Sequence, residues 1–323
     1  MKIAVLLGGN SPEREVSLNS GKNISDALIK NGHDVTEMDP QSSTAQLIEQ
    51  FRLQLQYPSA EESKLYTNLL LLKYLNVDLV FNGLHGGSGE NGVIQTLLDQ
   101  LGIKYTGPGA MACMLAMDKE ISKMLLIQNG LPTAKYLAIR NRNEAKPNLK
   151  DFTFPVIVKP ADGGSSLGHT VLNETDSIIT AVNEAFKFGE KVLVEEFISG
   201  KEIAAAVLFG KALPLVHIKP KHGIYDYECK YTPGMSSYEV PAQLNPEITL
   251  KVQQFAVKMY NLLGCSSYSR IDFLIKENGE IYILEANTLP GMTSTSLVPK
   301  AAKASGISFE ELIESITQEA FNR

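Results

Sequence analysis

The chain opens on an apolar run, residues 2 to 8, that ends in Gly8-Gly9 and reads as a buried strand. Val16 to Lys30 carries apolar residues at helical spacing, Gly32 is its stop, and His33 to Met38 reads as a second strand. This is a βαβ opening. It continues through a polar helical stretch around 44 to 75, a strand at Val77 to Leu84, a glycine-rich turn and a helix from Val93 to Leu101. A first α/β domain therefore spans 1–107.

Beyond Gly107 the pattern changes. A helix at Lys119 to Gln128 precedes short strands at Thr133 to Ile139, Pro155 to Lys159, Thr170 to Leu172 and Val192 to Phe197, which predict a small α+β domain over 108–197. A third domain, 198–323, follows with further strands, a loop rich in Tyr, Gly and Pro at 221 to 241, a helix at 247 to 263, a hairpin at 270 to 286 and a last helix near 308 to 321.

Composition excludes several partner classes. The net charge of -6 comes from 30 basic and 36 acidic residues with no basic block, so nucleic acid is not an expected partner. Cys113, Cys229 and Cys265 are widely separated and form no CxxC or Cys/His spacing, which fits a reducing, cytoplasmic setting. The chain has neither a run of 18 apolar residues nor a signal-peptide core, so no membrane partner is expected.

Gly87-Ser88-Gly89-Glu90-Asn91-Gly92 matches the dinucleotide pattern G-x-G-x-x-G. The match is set aside, because a ribose-binding acid should end the next strand and Ile103 to Gly107 ends in Tyr-Thr-Gly. No Walker P-loop occurs.

The carboxylates at the C-terminal hairpin carry more weight. Asn278-Gly279 between alternating runs predicts a two-residue turn with Glu277 opposite Glu280, which sets Asp272 across from Glu285 and Arg270 across from Asn287 on one face. Leu274 and Ile283 are expected on that face too. Facing carboxylates repel, and two acids plus an amide suit Mg²⁺; an exposed charged hairpin end is the alternative.

Pro155 to Pro160 is a strand ending in Lys159, followed by the small loop Asp162 to Gly168, whose backbone N–H groups are free to wrap phosphate oxygens. Lys119 begins a helix, where a cation is unfavourable unless an anion sits there. Taken singly, the loop also fits a turn and Lys119 a solvent-facing side chain; together with the acidic hairpin they point to a nucleotide.

These residues spell a wider pattern. Gly8-Gly9 with Glu13-Arg14-Glu15-Val16-Ser17, Leu84-His85-Gly86 with Gly89-Glu90-Asn91-Gly92, Tyr105-Thr106-Gly107, Met117-Asp118-Lys119, Val158-Lys159-Pro160 and Gly164-Ser165-Ser166 are joined by Tyr225-Asp226-Tyr227-Glu228, Lys230-Tyr231, Arg270-Ile271-Asp272, Leu284 to Thr288 and Pro290-Gly291-Met292-Thr293 with Ser296-Leu297. In these motifs the chain resembles the D-alanine:D-alanine ligases of the ATP-grasp superfamily over nearly its whole length. The resemblance implies an α/β three-domain ATP-grasp fold with an N-terminal Rossmann-like domain, a homodimer, and synthesis of D-alanyl-D-alanine for peptidoglycan through an acyl phosphate.

It also implies roles. Lys119, Lys159 and the loop Gly163, Gly164, Ser165 and Ser166 would hold ATP phosphates; Glu195, Glu196, Phe197 and Ile198 would hold adenine and Glu202 the ribose. Asp272, Glu285 and Asn287 would bind two Mg²⁺ (or Mn²⁺), Glu285 bridging. Glu15, aided by His85, would bind the ammonium of the first D-alanine; Arg270 and the Gly291 backbone would stabilise the tetrahedral oxygen; Lys230, Ser296 and Leu297 would receive the second substrate. A Tyr231–Ser165–Glu15 triad would tie a lid at 221 to 241 to the first domain. Asn91, Thr96 and Ser267 depart from the usual family residues, and none is an implied ligand. The rival readings are a D-alanine:D-lactate ligase and a non-catalytic ATP-binding regulator.

Overall fold

A computed structural model of the chain describes residues 1–53, 65–142, 147–221, 229, 232 and 234–323. Three sheets organise it. The first is parallel, in the order β2-β1-β3, from β1 (Lys2–Leu6), β2 (Asp34–Met38) and β3 (Leu79–Asn82). Its helices are α1 (Arg14–Lys30), α2 (Thr44–Gln50), α3 (Leu65–Tyr74), the single turn α4 (Gly87–Glu90) and α5 (Val93–Leu101). Helix α1 lies so close to the end of β1 that a Cβ on Gly21 would stand 2.4 Å from Leu7 Cβ, which explains a helix-weakening residue mid-helix.

Two helices, α6 (Ala110–Met117) and α7 (Lys119–Gln128), lead to an antiparallel sheet, β4-β7-β5-β6, built from β4 (Tyr136–Ile139), β5 (Val156–Pro160), β6 (Thr170–Leu172), α8 (Ile178–Ala185) and β7 (Val192–Glu196). The third sheet runs β11-β10-β8-β12-β13 with β9 on β8. It comprises β8 (Lys201–Leu208), β9 (Lys211–Ala212), β10 (Val216–Pro220), β11 (Ser236–Glu239), α9 (Pro246–Leu262), β12 (Tyr268–Ile275) and β13 (Ile281–Asn287), and α10 (Leu297–Ala304) and α11 (Phe309–Asn322) follow. Helices α6, α8 and α10 were not predicted. α6 is apolar almost throughout and α8 and α10 are only eight residues long, so a polar face was missing or too brief to reveal a period.

Packing crosses the sheet boundaries. Ala112, Ala116 and Leu126 of α6 and α7 join the core of the third sheet, with Ile203, Ile271 and Phe273. Another cluster runs from Ile3, Val5 and Phe81 of the first sheet through Ala204 and Ala206 of β8 to Leu312 and Ile316 of α11. The sheets are thus held around a common centre, where the loops after β1, β3, β5 and β13 meet. Among the described residues no helix is long and apolar enough to cross a membrane.

Candidate active site

Two cavities open at that centre. The larger, about 1680 Å³, lies between the second and third sheets and is lined by Lys159, Ser166, Glu195 to Glu202, Leu274 and Leu284. The smaller, about 440 Å³, is lined by Glu13, His85, Lys119, Gly163 to Ser165, Arg270, Asn287, Gly291, Ser296 and Leu297. Glu285 lines both.

The hairpin delivers its polar residues with the expected pairing, Arg270 across from Asn287 and Asp272 across from Glu285, but by another route. Lys276, not Glu277, pairs with Glu280, and Gly279 takes a left-handed φ of +87°, so the turn has three residues rather than two. That one-residue offset is cancelled by a bulge: Phe273 pairs with Ile283 and Asp272 with Glu285, leaving Leu284 as the extra residue. The bulge turns Ile283 into the core, against the expectation that it shares the polar face, and sets Leu284 and Glu285 on the cavity wall.

The carboxylates are neutralised by the chain's own cations. Arg270 donates from Nε to Asp272 Oδ1 at 2.8 Å and from Nη2 to Oδ2 at 2.7 Å, and Lys119 Nζ lies 3.3 Å from Glu285 Oε2. Repulsion therefore does not by itself demand an ion. The donor set nevertheless fits Mg²⁺: two carboxylates and an amide are oxygen-only and leave other positions for water and phosphate.

The expectation that Lys119 needs an external anion is also corrected. Asp118 caps α7, accepting from Glu120 N at 3.0 Å and Ile121 N at 3.1 Å, and supplies the negative charge. Lys119 Nζ meanwhile donates to Gly163 O at 2.6 Å. In the loop it holds, Gly163, Ser165 and Ser166 all have positive φ, +101°, +55° and +58°. Consecutive left-handed serines are rare and costly, and successive backbone N–H groups so arranged form a concave anion seat.

Lys159 Nζ is 3.0 Å from Glu195 Oε1, and Lys123 Nζ is 3.1 Å from Glu195 Oε2. Lys123 also donates to Thr133 Oγ1 at 2.7 Å. All three charged groups are buried, two cations to one anion. Burial would raise the Glu195 carboxyl, but Lys123 and then Lys159 outweigh it and hold it below the usual range. Lys123 was missed, though its spacing of four from Lys119 on one helix was a usable signal. Glu196 accepts from Thr153 N at 3.0 Å, and with Phe197, Ile198 and Glu202 it lines the larger cavity.

At the smaller cavity the acid that meets Ser165 is Glu13, not the expected Glu15. Ser165 Oγ donates to Glu13, whereas Glu15 is exposed in the first turn of α1. Helix α1 begins at Arg14, so Glu13 still belongs to the loop facing residues 163–165 and Glu15 has turned away. Glu13 takes this pose between neighbours that lack side chains: a Cβ on Gly86 would stand 2.1 Å from Glu13 Oε2, and one on Gly164 2.9 Å from Oε1, so the carboxylate would have to shift.

His85 lines the cavity, but both ring nitrogens are engaged by protein, Nδ1 with Leu289 O at 2.8 Å and Nε2 with Ser20 Oγ at 3.0 Å. Burial pushes its pKa down to about 4, so the ring is neutral. Ser20 Oγ accepts from Met292 N at 3.2 Å. Glu90, a motif residue given no role from the sequence, accepts from Gly86 N at 3.0 Å and Leu289 N at 3.2 Å; burial, then the nearby Glu13 charge, pushes its pKa up to about 7. Ser296 starts α10, with Lys300 one turn on against the same cavity. Lys230, Tyr231 and most of the expected lid lie outside the described residues.

A family model described as "D-ala D-ala ligase N-terminus" matches residues 2–108, and one described as "D-ala D-ala ligase C-terminus" matches residues 125–318. A D-alanine–D-alanine ligase of Halalkalibacterium halodurans is 44% identical over 322 residues, covering 98% of this chain and 97% of that protein. One from Syntrophotalea carbinolica is 41% identical over 315 residues, covering 98% and 94%. Among solved structures, the D-alanine–D-alanine ligase of Bacillus anthracis complexed with ATP matches with a TM-score of 0.80 at 29% identity, covering 100% of this chain and 98% of that one. The VanG D-Ala:D-Ser ligase of Enterococcus faecalis matches with a TM-score of 0.80 at 30% identity, covering 99% of each.

Proposed function

The chain belongs to the D-alanine–D-alanine ligase family, and from that premise we propose how its own residues join two D-alanine molecules. It is an ATP-dependent ligase of ATP-grasp fold that makes D-alanyl-D-alanine for the cell wall. The observation that carries the site assignment is Glu285, among the described residues the one common to the two cavities. A phosphoryl donor in the larger cavity and an amino acid in the smaller one meet beside it.

Lys119, Lys159 and the N–H groups of residues 163–166 hold the phosphates, Glu195 to Ile198 the base and Glu202 the ribose. A carboxylate oxygen of the first D-alanine attacks the terminal phosphorus, releasing ADP and forming D-alanyl phosphate. The amine of the second D-alanine then attacks the acyl carbon and inorganic phosphate leaves. Glu13, aligned by Ser165, binds the ammonium of the first D-alanine in the place first given to Glu15. Ser296 and Leu297 at the N-terminus of α10, with Lys300, receive the carboxylate of the second. Arg270 and the Gly291 backbone face the negative oxygen of the tetrahedral intermediate.

Asp272, Glu285 and Asn287 would hold two Mg²⁺ ions, which when bound neutralise phosphate charge. Arg270 and Lys119 then give up part of their hold on the carboxylates and turn toward substrate oxygens. We also propose the division 1–107, 108–197 and 198–323, a cytoplasmic location, and a homodimer. Exposed Val93, Met111, Met114, Met124 and Ile127 on α5 to α7 supply apolar surface for a second copy.

A D-Ala:D-Ser ligase shares this fold, so the nucleophile is chosen by side chains rather than architecture. Phosphate release across D-alanine, L-alanine, D-serine and D-lactate tests the reading. Release that requires D-alanine, with one dipeptide per ADP, is expected. Faster turnover with D-lactate would make the enzyme an ester former, and ADP release indifferent to D-alanine would leave only a nucleotide-binding protein.

A further inference from the structure

The strand end that carries the ion and oxyanion groups is held by a side chain from the other side of the molecule. Glu90, in α4, is buried, and its Oε1 accepts from the Leu289 N–H at 3.2 Å, 199 positions along the chain. With its amide oriented to satisfy both neighbours, Asn287 donates from Nδ2 to the same Oε1 at 3.1 Å and accepts at its oxygen from Arg270 Nη2 at 2.7 Å. The other carboxylate oxygen is occupied by Gly86 N at 3.0 Å.

An asparagine amide has two ends of nearly equal size and opposite polarity, so only its neighbours decide which end faces where. At Asn287 the choice matters: the oxygen can face a cation, and the NH₂ cannot. Among the described residues, the acceptor that meets this NH₂ is Glu90. On the same strand end, His85 takes the Leu289 carbonyl and Ser20 the Met292 N–H, so the segment around Gly291 is gripped by residues of the first unit.

We propose that Glu90 is a positioning residue: it sets the Asn287 amide with its oxygen toward the ion site and fixes the peptide that leads to Gly291. The inference rests on the reading of Asp272, Glu285 and Asn287 as ion ligands. It makes the ion site complete only when the first unit is docked on the third sheet, so metal affinity reports on that docking.

The test is Mn²⁺ binding to the full chain with ADP present, followed by electron paramagnetic resonance, with near-UV circular dichroism as a check of folding. Glu90→Gln turns one acceptor into a donor and is expected to weaken Mn²⁺ binding about 10-fold, the usual scale for losing an outer partner of a metal ligand, while metal-free ADP binding is unchanged. Asn287→Asp alone sets two carboxylates against each other and weakens binding too. The pair Glu90→Gln/Asn287→Asp restores a donor facing an acceptor with polarity reversed, at the cost of setting the same NH₂ against the Leu289 N–H, so part of the loss is expected to be recovered. Unchanged Mn²⁺ affinity in folded Glu90→Gln, or a pair no tighter than Asn287→Asp alone, overturns the proposal and leaves the ion reading standing. No Mn²⁺ binding by the parent protein overturns the ion reading and this proposal with it.

Discussion

A buried imidazole with both nitrogens engaged has one workable tautomer here: Nδ1 carries the proton given to Leu289 O, and Nε2 accepts from Ser20. Protonating Nε2 would take away the acceptor of the Ser20 hydroxyl proton and place a charge in a buried site, in line with the pKa of His85 being pushed down to about 4. A lowered histidine pKa means that the unfolded chain binds the extra proton first, so the contribution of neutral His85 is complete above about pH 6.5 and is lost as pH falls toward about 4. Glu90 acts with the opposite sign, since a carboxyl raised to about 7 loses stability as pH rises from about 4.5. Replacing His85 exposes its share. The difference in unfolding free energy between the parent and His85→Gln should be about 2 kcal/mol smaller at pH 5 than at pH 7, read from denaturant titrations at each pH. An equal difference at both would mean that His85 titrates in the fold as it does in the unfolded chain and that its network is misassigned. Little of this was legible beforehand. A histidine in Leu84-His85-Gly86 announces a special residue, but its partners, Ser20 and Leu289, come from distant segments joined only by folding.

The entry to α1 shows how an element's boundary assigns chemistry. Glu13 and Glu15 belong to one motif, and nothing in their types separates them; the start of the helix at Arg14 does, leaving Glu13 in the loop and sending Glu15 to solvent. Glu13→Gln should therefore lower kcat/KM for D-alanine about 10- to 100-fold, the cost of one charge-assisted contact, while Glu15→Gln stays within about 2-fold. Equal effects would return the role to Glu15 or to neither. The hairpin teaches the converse lesson. Its functional pairing was readable from alternation, yet the turn length and the bulge at Leu284 were both missed, and the prediction succeeded because the two offsets cancel. Bulges leave no composition signal; here one keeps Ile283 in the core while aiming Glu285 at the cavity.

Across the whole molecule, the ends of the chain are interlocked. Helix α11 returns to the core of the first sheet, α6 and α7 cross to that of the third, and the loops of all three converge on two cavities sharing one carboxylate. Alternation and helical period revealed the strands and most of the long helices, since each buries a face of its own. The crossings of α6, α7 and α11 were not readable, because which sheet receives an apolar helix depends on the assembled shape. The account's central claim is that the shared wall at Glu285 brings ATP and a substrate carboxylate together for direct phosphoryl transfer. The most direct measurement uses D-alanine labelled with ¹⁸O at both carboxylate oxygens, with ATP unlabelled, followed by mass analysis of the products. The account predicts one labelled oxygen in each inorganic phosphate released and the other in the new amide carbonyl; phosphate free of label, with dipeptide formed, would contradict it.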